Sequence, residues 1–120
     1  MTYLYVFIGG GLGCLARFSL SQFVNSLVKS PFPFGTFLSN MLACTLLAIF
    51  VICTREYSEE HTWIQPLLII GFCGGFSTFS AFSYESVQLI DQGNFLVAVL
   101  NIVISITVGI ALIYLIRSKA

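Results

Sequence analysis

The chain has 120 residues, 58% of them apolar and only 8% charged, with five basic and five acidic side chains. An ordinary soluble domain carries about 25% charged residues, so this composition places the chain in a membrane, and the balanced charge gives no footing for a nucleic acid or an anionic surface. At about 20 apolar residues per crossing of ~30 Å of hydrocarbon, the length holds four spans in one domain, 1–120, with no room for a separate soluble domain.

The spans read 3–27, 35–53, 63–90 and 95–116. Long unbroken apolar runs, rather than short alternating segments, predict helices over a β-barrel, and so an all-α membrane protein. No basic stretch precedes the first span, which reads as retained rather than as a cleaved leader. It carries Gly9, Gly10, Gly11 and Gly13, with Gly9, Gly13 and Arg17 at i, i+4 and i+8 on one face. The Gly9/Gly13 pair predicts close helix packing; with no strand before it, the run is not a dinucleotide fingerprint. Arg17 lies well inside an apolar segment, where facing lipid is costly, so it must reach an aqueous cavity, a partner or the interface.

Lys29, Ser30, Pro31 and Pro33 break the chain before the second span, where Thr36 and Asn40 share one face. An asparagine amide there either joins helices or donates N–H to an anion. The polar cluster 54–62 follows, with Glu56, Glu59, Glu60 and His61 reading as a solvated loop rather than a metal site. Cys14, Cys44, Cys53 and Cys73 form no CxxC and read as small packing residues.

The third span is too long. A continuous α-helix over 63–90 would run ~42 Å, beyond the hydrocarbon thickness, which a tilt or a break must absorb; within the run Gly74-Gly75-Phe76-Ser77-Thr78-Phe79-Ser80-Ala81-Phe82-Ser83, Gly74-Gly75 followed by Ser77-Thr78 supplies a break near the middle, the glycines relaxing the backbone. Carbonyls freed at membrane depth need a cation, a hydroxyl or a neighbouring chain. Phe79 and Phe82 fall on one face with Ser80 and Ser83 beside them; they are either ordinary aromatic packing or rings whose positive edges receive an anion. Glu85, the sole acid within a span, is placed to pair with Arg17 or to face a vestibule. After the turn Asp91-Gln92-Gly93-Asn94, the fourth span carries Asn101, Ser105 and Gly109 at i, i+4 and i+8, with Thr107 elsewhere. Three helices thus hold a polar stripe, as independent interhelical contacts or as one shared polar path.

Four spans put both ends on one side with Arg55, Arg117 and Lys119, against Lys29 on the other. So small a bias leans toward cytoplasmic termini but allows insertion both ways, and a chain inserting both ways can pair antiparallel with itself.

The segments Gly9-Gly-Gly-Leu-Gly13-Cys-Leu-Ala-Arg17, Phe34-Gly35-Thr36-Phe-Leu-Ser-Asn40 and Gly71-Phe-Cys-Gly74-Gly75-Phe-Ser77-Thr78-Phe79-Ser80-Ala-Phe82-Ser83-Tyr-Glu85 closely resemble the Fluc (CrcB) fluoride channel family. The resemblance covers nearly the whole chain. It implies a passive fluoride-selective channel of the cell inner (plasma) membrane that lowers cytoplasmic fluoride, built as an antiparallel, dual-topology homodimer with two pores. It further implies a structural sodium ion at the dimer interface, held by the backbone carbonyls of Gly74 and Ser77. Phe79 and Phe82 match the family's aromatic box, Asn40 its amide donor, and Ser80, Ser83 and Ser105 hydroxyls along the path. The stripe residues Thr36 and Asn101 are assigned to the same path, and Arg17 and Glu85 to the vestibule. Two departures stand out: Ser77 replaces the family's usual threonine, and Gly109 stands where relatives often carry serine. The missing hydroxyl leaves room for a channel of two unlike paralogous subunits.

A small proton-coupled exporter of organic cations would share the length and the four spans but would need a carboxylate near the midplane, whereas Glu85 stands near the end of its span. An enzyme is disfavoured, since no nucleophile with a paired base and no carboxylate pair has workable spacing.

Overall fold

The computed structural model describes residues 1–55 and 59–119. Glu56, with the rest of 56–58 and Ala120, lies outside the described residues. The elements are α1 (Thr2–Leu27), α2 (Phe34–Cys53), a π-helix (Gln65–Cys73), α3 (Gly74–Phe76), α4 (Phe79–Asp91) and α5 (Phe95–Ser118). Among the described residues four helices are long and apolar enough to cross a membrane: α1, α2, α5, and the third span running from Gln65 to Asp91. Among the described residues there is no strand.

Glycine sets how α1 meets the third span. A Cβ on Gly9 would overlap the Leu67 carbonyl, one on Gly13 the Phe72 carbonyl, and one on Gly75 the Gly10 carbonyl. Backbones therefore touch directly, which is how helices associate in lipid, where apolar burial supplies no drive and close van der Waals contact must do so. Elsewhere α2 packs along α5, and the α5 positions that face inward are Ala98, Asn101, Ser105 and Gly109, the predicted stripe extended by one turn. Large apolar side chains such as Phe7, Phe18, Leu96 and Ile110 point outward, as a chain solvated by lipid tails requires.

The third span departs from a plain α-helix in two places. Its first part is π-helical, a rare form, and Pro66 at its start has no N–H to give to an α-type ladder. The widened turn brings the Pro66 carbonyl to 2.8 Å from where a Cβ on residue 71 would stand, and glycine at that position leaves the space. The second departure is the break, and here the expectation needs correcting. Gly74 is helical, at φ −64° and ψ −38°, and the backbone extends instead at Ser77 (φ −90°, ψ 157°) and Thr78 (φ −151°, ψ 117°). Gly75 serves close approach to α1 rather than unwinding. What stabilises the extended pair is the Thr78 hydroxyl, which accepts the Ala81 N–H at 3.1 Å and so caps α4. At the far end of α4, Gly93 takes φ +82°, a left-handed turn conformation open to glycine, and leads into α5.

Candidate functional site

The break diverts backbone donors that a continuous helix would use, and side chains of α1 and α2 donate to two of the carbonyls beside it. Asn40 on α2 lies against Thr78: its Oδ1 accepts the Thr78 N–H at 2.9 Å and its Nδ2 donates to the Thr78 carbonyl at 3.3 Å. Arg17 on α1 donates from Nε to the Gly75 carbonyl at 3.3 Å. The amide that a helix would offer to Gly74, Thr78 N–H, is thus committed to Asn40, and the one it would offer to Ser77, Ala81 N–H, is committed to the Thr78 hydroxyl. The Gly74 and Ser77 carbonyls lose their usual donors as a result. Gly74 is exposed, with nothing within 4 Å of where a Cβ would stand, and Ser77 is half-buried.

Beside the break is a cavity of about 260 Å³. Asn40, Met41 and Cys44 of α2 form one wall, Ser77, Thr78, Phe79 and Phe82 a second, and Ser105 with Ile106 of α5 a third. Among the described residues no charged side chain lines it. The two phenyl rings stand 5.9 Å apart between centroids and are tilted by 39°. They are not equivalent, since Phe82 is buried whereas Phe79 is 80% exposed at the rim.

Behind this wall runs a buried polar chain. Ser105 donates to Asn101 Oδ1 (3.2 Å), Asn101 Nδ2 donates to Ser86 Oγ (3.1 Å), and Ser86 donates to the Phe82 carbonyl (2.9 Å). Asn101 is only 1% exposed. A second buried pair joins α2 to α4, where the Thr36 hydroxyl donates to Glu85 Oε1 at 2.7 Å while Glu85 Oε2 is buried without a hydrogen bond.

Of the residues read from the sequence, the structure brings Asn40, Ser77, Phe79, Phe82 and Ser105 together around the cavity. Asn101 lies one bond behind Ser105 rather than on the cavity wall. Ser80 is exposed, its hydroxyl 3.3 Å from that of Thr78, and Ser83 is half-buried; neither lines the cavity. Glu85 is partnered by Thr36 and Arg17 by the Gly75 carbonyl, so the two charges considered as a pair have separate partners. Gly109 packs against α2, where an added Cβ would stand 3.4 Å from Cys44 Sγ and 3.6 Å from Met41 Cε, ordinary van der Waals contacts. Cys14 and Cys53 face outward, unlike the packing cysteines Cys44 and Cys73. Glu59, Glu60 and His61 are exposed.

Three contributors escaped the sequence reading. Thr78 was within the noted run, but its capping role depends on where the break falls. Cys44 continues the α2 series Thr36, Asn40 at i+8, and Ser86 stands one turn after Phe82 on the same buried face.

A family model described as CrcB-like protein, Camphor Resistance (CrcB), matches residues 4–116. The chain belongs to the CrcB family. All of the candidate site residues lie inside the matched stretch. This CrcB chain is similar to the fluoride-specific ion channel FluC of Flavobacterium psychrophilum, with 36% identity over 109 residues, 91% of this chain and 88% of that protein. It is also similar to proteins of the same name from Pyrococcus abyssi, at 40% over 115 residues (95% and 91%), and Coxiella burnetii, at 38% over 112 residues (92% and 90%).

Proposed function

We propose that this CrcB chain forms a passive, fluoride-selective channel of the cell inner (plasma) membrane, working as an antiparallel homodimer. The observation that carries the reading is the uncharged cavity at the helix break, where an amide, hydroxyls and two phenyl rings converge. Fluoride is small and strongly hydrated, so a pore must replace its water with several close donors, yet hold it weakly enough to release it. Neutral donors in series meet both demands. The second Nδ2 hydrogen of Asn40, beyond the one given to Thr78, the Thr78 hydroxyl and the Phe82 ring edge supply such donors within one cavity, and the Ser105 hydroxyl, bonded to Asn101 Oδ1, joins them only when the ion draws its proton away. Arg17, at the break, adds the positive potential that draws an anion toward it. An exporter of organic cations would need a carboxylate on this wall, and none lines it.

The same geometry supports the dimer and its ion. Phe79 belongs to the cavity rim yet is 80% exposed in one chain, and a second copy would cover it. The residues present fit a sodium ion, because Gly74 and Ser77 offer carbonyl oxygens whose helical donors are engaged elsewhere, and hard oxygen ligands suit a small cation. Held there by both subunits, sodium would supply fixed positive charge at the interface and tie the two broken helices together.

Liposomes containing only this purified protein test the reading. Fast fluoride efflux without chloride efflux is expected, and equal release of both ions would overturn selectivity. The Gly109 hydroxyl gap favours one other arrangement, a channel of two unlike subunits, which would leave the folded protein silent until its partner is added.

A further inference from the structure

We infer that Asn101 is a positioning residue that sets how tightly the cavity holds an anion, by fixing where the Ser105 hydroxyl directs its proton; this rests on the channel reading above. The direction of each hydrogen bond behind the cavity is settled from one end. The Phe82 carbonyl can only accept, so the Ser86 hydroxyl donates to it at 2.9 Å. The Ser86 oxygen then accepts from Asn101 Nδ2 at 3.1 Å, which turns Asn101 Oδ1 toward Ser105 to accept at 3.2 Å. Ser105 therefore spends its only proton on Asn101 and turns oxygen lone pairs to the cavity it lines.

An anion reaching Ser105 must draw that proton away. Doing so strands Asn101 Oδ1 without a donor in a side chain that is 1% exposed, and an unsatisfied buried acceptor is costly. Other hydroxyls of the bundle are arranged differently. Ser39 and Thr45 each donate to the carbonyl four residues back, an acceptor that a helix already pairs with its own N–H. Withdrawing one of those protons orphans nothing. Use of the Ser105 hydroxyl by an anion is opposed by a neighbouring side chain, so the ion is bound and then handed back. A site weakened in this way favours throughput over retention.

The test measures the half-saturating fluoride concentration and the maximal efflux rate from liposomes for the wild type, Asn101→Leu and Ser86→Ala. In Asn101→Leu the opposing acceptor is gone and Ser105 is free to fall back on the residue-101 carbonyl. In Ser86→Ala the amide is unpinned and can turn its NH₂ toward Ser105, which frees the hydroxyl while keeping the asparagine. Both variants should lower the half-saturating concentration by about tenfold and lower the maximal rate. Neither shift should survive in a Ser105→Ala background, whereas a merely structural role for Asn101 would act whether or not Ser105 is present. Should Asn101→Leu fail to fold, Ser86→Ala carries the test alone. Unshifted half-saturation in a conducting variant, or an equal shift without Ser105, overturns the inference while leaving the channel intact. Absence of fluoride-selective efflux from wild type, alone or with an unlike partner, overturns the channel reading and this one with it.

Discussion

Replacing Asn40 with aspartate separates a helix clamp from an anion donor. In the wild type the amide both accepts from Thr78 N–H at 2.9 Å and donates to the Thr78 carbonyl at 3.3 Å. Aspartate keeps the acceptor, loses the donor, and sets a negative charge on a wall that has none. Loss of the donor removes one hydrogen bond from the Thr78 carbonyl, a cost of about 0.5–1.5 kcal/mol that falls on stability. The charge acts on the ion itself. A fluoride at ~4 Å from an ionised carboxylate is opposed by about 4 kcal/mol at an effective dielectric of ~20, which lowers its occupancy on the order of a thousandfold. Efflux from liposomes, with a melting curve on the same preparation, reads the two terms apart. Asn40→Asp should cut fluoride flux at least about a hundredfold in protein that still folds, and Asn40→Leu, which removes the clamp without adding charge, should lose more stability than Asn40→Asp. Fluoride flux within twofold of wild type in folded Asn40→Asp would refute the placement of the ion beside this residue.

Phe82→Ile keeps the apolar volume of a buried cavity wall but removes the ring edge, so fluoride flux should nearly vanish while the oligomeric state is retained on size exclusion; undiminished flux would remove the ring from the mechanism. Replacing sodium with a large organic cation throughout purification should lower the melting temperature of the dimer, and a superimposable curve would argue against an ion on the Gly74 and Ser77 carbonyls. Gly13→Val places side-chain atoms where the Phe72 carbonyl lies and 2.9 Å from the Phe76 nitrogen. Neither backbone group can step aside without parting the helices, so the melting temperature should drop by several degrees, consistent with a cost of at least ~1–3 kcal/mol for overpacking; a wild-type melting curve would contradict the direct backbone contact.

Periodicity made much of this architecture legible. Gly9 with Gly13, and Asn101 with Ser105 and Gly109, repeat every four residues, and a helix puts such residues on one face whatever they touch. They are buried faces in the structure. The location of the break was less legible, because glycine loosens a helix in general but does not oblige it to unwind. Here the contact with Gly10 requires a glycine at 75, and a hydroxyl able to cap α4 sets the extended residues two positions later. Glu85 shows a different limit. Spacing along one helix cannot say which neighbouring helix answers a side chain, so its bond to Thr36 emerged only once α2 and α4 were packed. The sharpest case joins Arg17 and Asn40, which the sequence sets on stripes of two helices without naming a common partner. Once the chain opens at Ser77 and Thr78 they share one cause, since the Gly75 and Thr78 carbonyls lie at that opening and each takes one of them as donor. The break thus draws its polar partners from both sides of the bundle. The carbonyls whose helical amides have been diverted, those of Gly74 and Ser77, are the ones on which a bound cation or a second subunit would act.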